Sequence, residues 1–88
     1  GTKMIDLNPA GNHRVVINVY NEVPYGAPVY WQAWLLPIVP RIGEQILLKS
    51  TNPEQPFHDT VRVVAVVHHI TETEEEVSIE VHINCVKE

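Results

Sequence analysis

From Val77 to Cys85 apolar and polar residues alternate without a break (Val-Ser-Ile-Glu-Val-His-Ile-Asn-Cys), the period-two repeat of a β-strand that buries one face. The same habit runs through the rest of the chain. Residues 14–22 (RVVINVYNE) direct Val15, Ile17 and Val19 to one side and Arg14, Asn18 and Tyr20 largely to the other. Residues 29–36 (VYWQAWLL), 44–50 (EQILLKS) and 61–71 (VRVVAVVHHIT) read as further strands, giving five with residues 77–86. No segment carries the apolar spacing of a long amphipathic helix.

Proline, glycine and asparagine punctuate these runs. The segments 23–28 (VPYGAP) and 37–43 (PIVPRIG) place prolines where a ladder donor would be needed, and Gly43 can supply a positive φ. Residues 51–60 (TNPEQPFHDT) form the longest expected loop, and the acidic residues 72–76 the last turn. Five short strands in an open sheet would leave two edges and a bare face, which a closed or half-closed barrel removes. The expected fold is therefore all-β, with an OB-type barrel as the alternative, although that fold usually includes a helix.

The string LPIVPRIGEQI at residues 36–46 (an apolar strand end, then Pro-x-x-Gly-acidic, then the next strand) resembles bacterial SH3-like small β-barrels. VRVVAVVHHI, a basic residue inside a valine-rich strand that ends in histidine, is similar to the strand that follows in such proteins. The resemblance extends to uncharacterised proteins encoded by mobile gene cassettes or phages, and covers about half of the chain. It implies a five-stranded SH3-like barrel and no particular activity or catalytic residue.

At 88 residues the chain is expected to form one domain with a modest core, and its 44% hydrophobic content is that of a globular protein. Net charge is −5, and the six lysines and arginines are scattered, which argues against nucleic-acid binding because that draws its affinity from clustered cations. The apolar runs are too short to span a bilayer as helices and no stretch is laid out like a signal peptide, so the cytoplasm is the expected location and no membrane association is expected. Residues 1–3, ahead of Met4, read as an expression scar. The single cysteine, Cys85, sits within an alternating run and reads as a buried inert thiol. No nucleophile elbow, phosphate loop or cofactor motif is present, so neither catalysis nor a cofactor is expected.

His68 and His69 are adjacent and point to opposite sides of a regular strand, so the doublet is not itself a site. Taking Val63, Ala65, Val67 and His69 as the core face places His68 beside Glu80 and His82 on the outer face, provided the connecting loop is odd in length. A four-residue loop brings His69 there instead. Two histidines and a carboxylate on one face have the donor types of an open zinc site, so His68, Glu80 and His82 are the metal candidates and a metal-dependent enzyme is the rival function. The competing reading is an ordinary cross-strand pair contributing about 0.2–1 kcal/mol.

Apolar excess points elsewhere. Residues 29–36 carry large apolar groups on both faces, and Val64, Val66 and Ile70 share the face assigned outward on the fourth strand. Tyr30, Trp34, Val64 and Val66 are accordingly the candidates for a self-association surface, since tyrosine and tryptophan are favoured at interface centres. Tyr25 and Phe57, aromatic residues in proline-bounded loops, are candidates for a groove that takes a peptide or small ligand. The function expected is a non-enzymatic, homo-oligomeric interaction module.

Overall fold

The computed structural model describes residues 13–23 and 26–88. Five strands, β1 (His13–Tyr20), β2 (Tyr30–Leu36), β3 (Gln45–Ser50), β4 (Phe57–Glu72) and β5 (Val77–Lys87), form one sheet in the order β2-β1-β5-β4-β3. Neighbours are antiparallel except β1 and β5, which run parallel. The described residues include no helix, and hence none long and apolar enough to cross a membrane.

β2 and β3 follow one another in the chain yet occupy opposite edges of the sheet. The sheet reconciles this by curling strongly into a half-barrel whose open side is spanned by residues 37–44. Side chains of the 51–56 connection also reach across to β2. The Trp31 N–H donates to Gln55 Oε1 at 2.9 Å, and the Asn52 Nδ2 donates to Gln32 Oε1 at 3.4 Å. The Trp31 bond occupies a donor of an edge strand that would otherwise be available for intermolecular pairing.

The curl encloses Val15, Ile17 and Val19 of β1, Tyr30 of β2, Leu48 of β3, Val61 and Val63 of β4, and Ile83 and Cys85 of β5. Burying each large aliphatic side chain stabilises the fold by about 1.5–3 kcal/mol before entropy is charged against it. The phase of β2 follows from β1. Residues opposite one another in an antiparallel pair share a face, and Val19 faces Tyr30 while Val15 faces Trp34. Tyr30 is therefore a core residue, 1% exposed and stacked on Phe57 at 4.9 Å between ring centroids. Trp34 is half-buried against the same core. The expectation that Tyr30 and Trp34 lie on an outer face is corrected, and the outward aromatic of β2 is Trp31.

β4 begins at Phe57, four residues earlier than the sequence suggests, because Phe57 to Arg62 pair with all six residues of β3. The loop before it shrinks to residues 51–56, and His58 becomes a strand residue opposite Lys49. A bulge at Val64 then breaks the alternation: Val63 faces Cys85, but the next pair is Ala65 with Asn84. Beyond the bulge Val66, His68 and Ile70 share the inner side with Ile83, Val81 and Ile79. The expected core face of Val63, Ala65, Val67 and His69 is thus corrected after its first member. Val66, taken as outward, packs against the core, and Val64 is the extra, half-buried residue of the bulge.

Two turns fix these registers. Glu44 N–H donates to Arg41 O at 3.1 Å, closing a turn with Gly43 at φ 92°, the conformation a type II turn demands at its third position. The Arg41 N–H donates to Glu44 Oε1 at 2.7 Å, so the glycine and the acid of the Pro-x-x-Gly-acidic string both have turn-forming roles. At the other end, residues 73–76 join β4 to β5 without glycine. The Thr73 hydroxyl accepts the Glu75 and Glu76 N–H groups at 3.3 and 3.2 Å and donates to Glu76 O at 3.1 Å, supplying the bonds a tighter glycine turn would make.

Candidate functional site

β3 pairs with β4 only as far as Arg62, and β1 pairs with β5 only from Val81 onward. Residues 66–80 therefore form a two-stranded arm held by its own ladder, with a polar outer face and an apolar inner face.

On the outer face, at the root of the arm, a hydrogen-bonded row links β1 and β5. Arg14 Nη1 donates to Glu80 Oε2 at 3.3 Å, and Glu80 Oε1 meets His82 Nε2 at 2.8 Å. His82 Nδ1 lies 3.1 Å from Asn18 Nδ2, which also donates to Asn84 Oδ1 at 3.1 Å. An amide nitrogen can only donate, so His82 Nδ1 accepts and the ring proton sits on Nε2, directed at Glu80. His69, opposite Glu80, tilts its ring against that of His82 with centroids 4.4 Å apart. The hydrogen bond from His82, and after it the one from Arg14, holds the Glu80 carboxyl below its ordinary value.

This arrangement limits the chemistry available. A carboxylate-oriented imidazole acts as a general base through its second nitrogen, and in His82 that nitrogen is occupied by Asn18. The row braces β1 against β5.

The histidine that joins Glu80 and His82 is His69. His68 pairs with Val81 and faces the inner side, so the candidate set His68, Glu80 and His82 is not brought together. The turn is four residues long, the case that places His69 on the outer face. Among the described residues no three histidine, cysteine, aspartate or glutamate side chains are grouped so as to hold a metal ion. Of the ligand-groove pair, Tyr25 lies outside the described residues, and Phe57 is engaged in its stack on Tyr30. Cys85 is buried, and burial pushes its thiol up to about 12, which leaves it protonated and unreactive.

The inner face of the arm is the more unusual surface. Ile70 and Ile79 stand directly opposite each other with Val77 beyond them, and these side chains are 66%, 62% and 58% exposed. A second apolar surface surrounds residues 37–44. On one side a hollow of about 340 Å³ is lined by Ile17, Trp34, Leu36, Ile38, Leu47 and Lys49 among others. On the other a wider hollow of about 720 Å³ is lined by Val39, Arg41, Ile42, Glu44, Val66 and His68, and Pro40 borders both. Ile38, Ile42 and Leu47 are each about two-thirds exposed at these rims. The sequence expectation of an apolar excess holds, and Ile70, named for it, is exposed; Tyr30 is instead buried and Trp34, Val64 and Val66 are half-buried, so most of the exposed apolar surface lies on other residues. The signal for the others was present as Ile38 and Ile42 in the proline-rich connection.

No family model matches the chain, and neither a curated protein nor a solved structure shows significant similarity to it.

Proposed function

We propose that this protein is a non-catalytic interaction module, a small SH3-like barrel of bacterial cassette or phage type that works in the cytoplasm as a homo-oligomer. The observation that carries the reading is the arm: a two-stranded ribbon is marginally stable alone, yet this one presents Ile70, Ile79 and Val77 to solvent on a single face. Such a face is stabilised by covering it with another protein surface. The curl that sets β5 beside β1 and the Pro-x-x-Gly-acidic turn at Gly43 support the barrel assignment. The engagement of His82 Nδ1 by Asn18 favours an interaction role over general-base catalysis.

Size-exclusion chromatography with light scattering on the full chain at micromolar concentration tests the reading. The expected mass is a multiple of the 10.0 kDa protomer. A strict monomer throughout that range rejects it.

A further inference from the structure

The two exposed apolar surfaces differ in charge as well as in shape. The arm ends in Glu72, Glu74, Glu75 and Glu76, with no cation among residues 70–79. The surface around residues 37–49 contains Arg41, which lines the wider hollow, and Lys49, which lines the narrower one. Of the five cations among the described residues, Arg14 pairs with Glu80, Arg62 with Glu88 and Lys87 with Asp59. Arg41 and Lys49 form no ion pair among the described residues. Glu44, which lines the wider hollow with Arg41, is turned back to accept the Arg41 backbone N–H.

We propose that the arm of one copy docks its inner face on the surface around residues 37–49 of a second copy, with Ile70, Ile79 and Val77 against Ile38, Ile42 and Leu47, and with the acidic tip beside Arg41 and Lys49. This rests on the reading of the protein as a self-associating module and specifies the contact.

A second copy is the occupant that the charges favour. The arm supplies the carboxylates that two unpaired cations lack, and it supplies an apolar face where the hollows are apolar. Contact between two arm tips is disfavoured, because it would crowd eight glutamates, four from each chain, into one place. The chain's own arm cannot fill the wider hollow, since Val66 and His68 at its root already form one wall of it. The contact joins two different surfaces, so it leads to reciprocal exchange of arms between two copies, to a closed ring or to a filament.

Two variants in the full chain test the contact. Ile70→Ser with Ile79→Ser disables the arm, and Ile42→Ser with Leu47→Ser disables the docking surface; all four positions are more than half exposed, so the fold should persist, which circular dichroism checks. Each variant alone is expected to run as a monomer, and an equimolar mixture to recover a species of two chains, because each supplies the surface that the other lacks. Variants that associate as the wild type does, or a mixture that stays monomeric, overturn the contact while leaving an oligomeric wild type intact. A monomeric wild type rejects the underlying reading as well.

Charge reversal gives an independent readout. Arg41→Glu is expected to raise the dissociation constant at least tenfold, and Glu74→Lys with Glu75→Lys on the same chain to recover part of that loss. Added salt should weaken the wild-type contact. An Arg41→Glu variant that binds as tightly as wild type at low salt overturns the placement of the tip.

Discussion

His69 stands directly across the β4–β5 ladder from Glu80, while its neighbour His68 stands across from Val81 on the other face. Two local features produce this outcome. The four-residue Thr73 turn sets the register of the arm, and the bulge at Val64 absorbs the residue by which that register differs from the one of the core. Without the extra residue, either Val61 and Val63 would leave the core or the polar row at Glu80 would face inward. The bulge thus joins a barrel strand to an arm whose faces are set independently.

Deletion of Val64 should consequently be tolerated. Val63 would be followed by Ala65 and Val66, which already face Asn84 and Ile83, so no other side chain changes sides. The expected cost is about 1–2 kcal/mol for the lost packing and twist of the bulge. Deletion of Val67, three residues on, removes a residue that is paired with His82. This deletion keeps the faces of the arm only by closing the same bulge, which moves Ala65 into the place of Val66 opposite Ile83, and should cost visibly more through the lost core packing. Urea unfolding of the two deletion variants makes the comparison, and equal losses would show that Val64 is not a free insertion.

The row of polar groups at the arm's root predicts an acid dependence. Glu80 is held below its ordinary value of 4.5 by His82 first and Arg14 second. A lowered carboxyl pKa contributes stability that is present above the unfolded-state value and is lost as pH falls through the folded-state value. The wild type should therefore lose stability more steeply than Glu80→Gln as pH drops below about 4.5. Denaturant midpoints across that range supply the measurement. Parallel curves for the two proteins would mean that the His82 and Arg14 bonds do not favour the carboxylate in solution.

Which parts of this were legible beforehand depended on whether a strand announced its own phase. β5 did, because Ser78, Glu80, His82 and Asn84 alternate with apolar residues, and β1 did through Val15, Ile17 and Val19. β4 did not: Val63 to Val67 is apolar at every position, so a bulge inside it leaves no mark on the pattern. β2 has large apolar side chains on both faces, and only its pairing with β1 decides that Tyr30 and Trp34 go inward and Trp31 outward. The five-strand, all-β architecture was readable from punctuation and period, and so were the alternation of β5 and the positive φ of Gly43. The partner of Glu80 was readable only as a choice between two histidines.

Tyr30 offers a test of the core that separates its ring from its hydroxyl. The ring is buried against Phe57, but the hydroxyl is buried with no hydrogen-bond partner among the described residues. An unpaired buried hydroxyl is destabilising, so Tyr30→Phe should be neutral or stabilising by up to about 1 kcal/mol. Tyr30→Ala removes the ring and should cost about 3–5 kcal/mol. Thermal or urea unfolding reports both. A clear loss in Tyr30→Phe would reveal a partner for the hydroxyl.

Cys85 carries the complementary prediction at alkaline pH. Burial raises its thiol from 9.0 to about 12, so between those values the unfolded chain releases a proton that the folded chain keeps. Fewer protons bound in the unfolded state mean that stability falls as pH rises through this window. In Cys85→Ala that contribution disappears, and the variant should lose less stability than wild type above about pH 9, against a baseline cost of about 1–2 kcal/mol for the vacated core volume. The same burial protects the thiol from reagents: iodoacetamide at about pH 8 should leave folded protein unmodified and label it once urea exposes the core. Rapid labelling of the folded protein, at the rate of a free thiol, would show that the inner face of β5 opens far more readily than its packing against Val63 and Val19 implies.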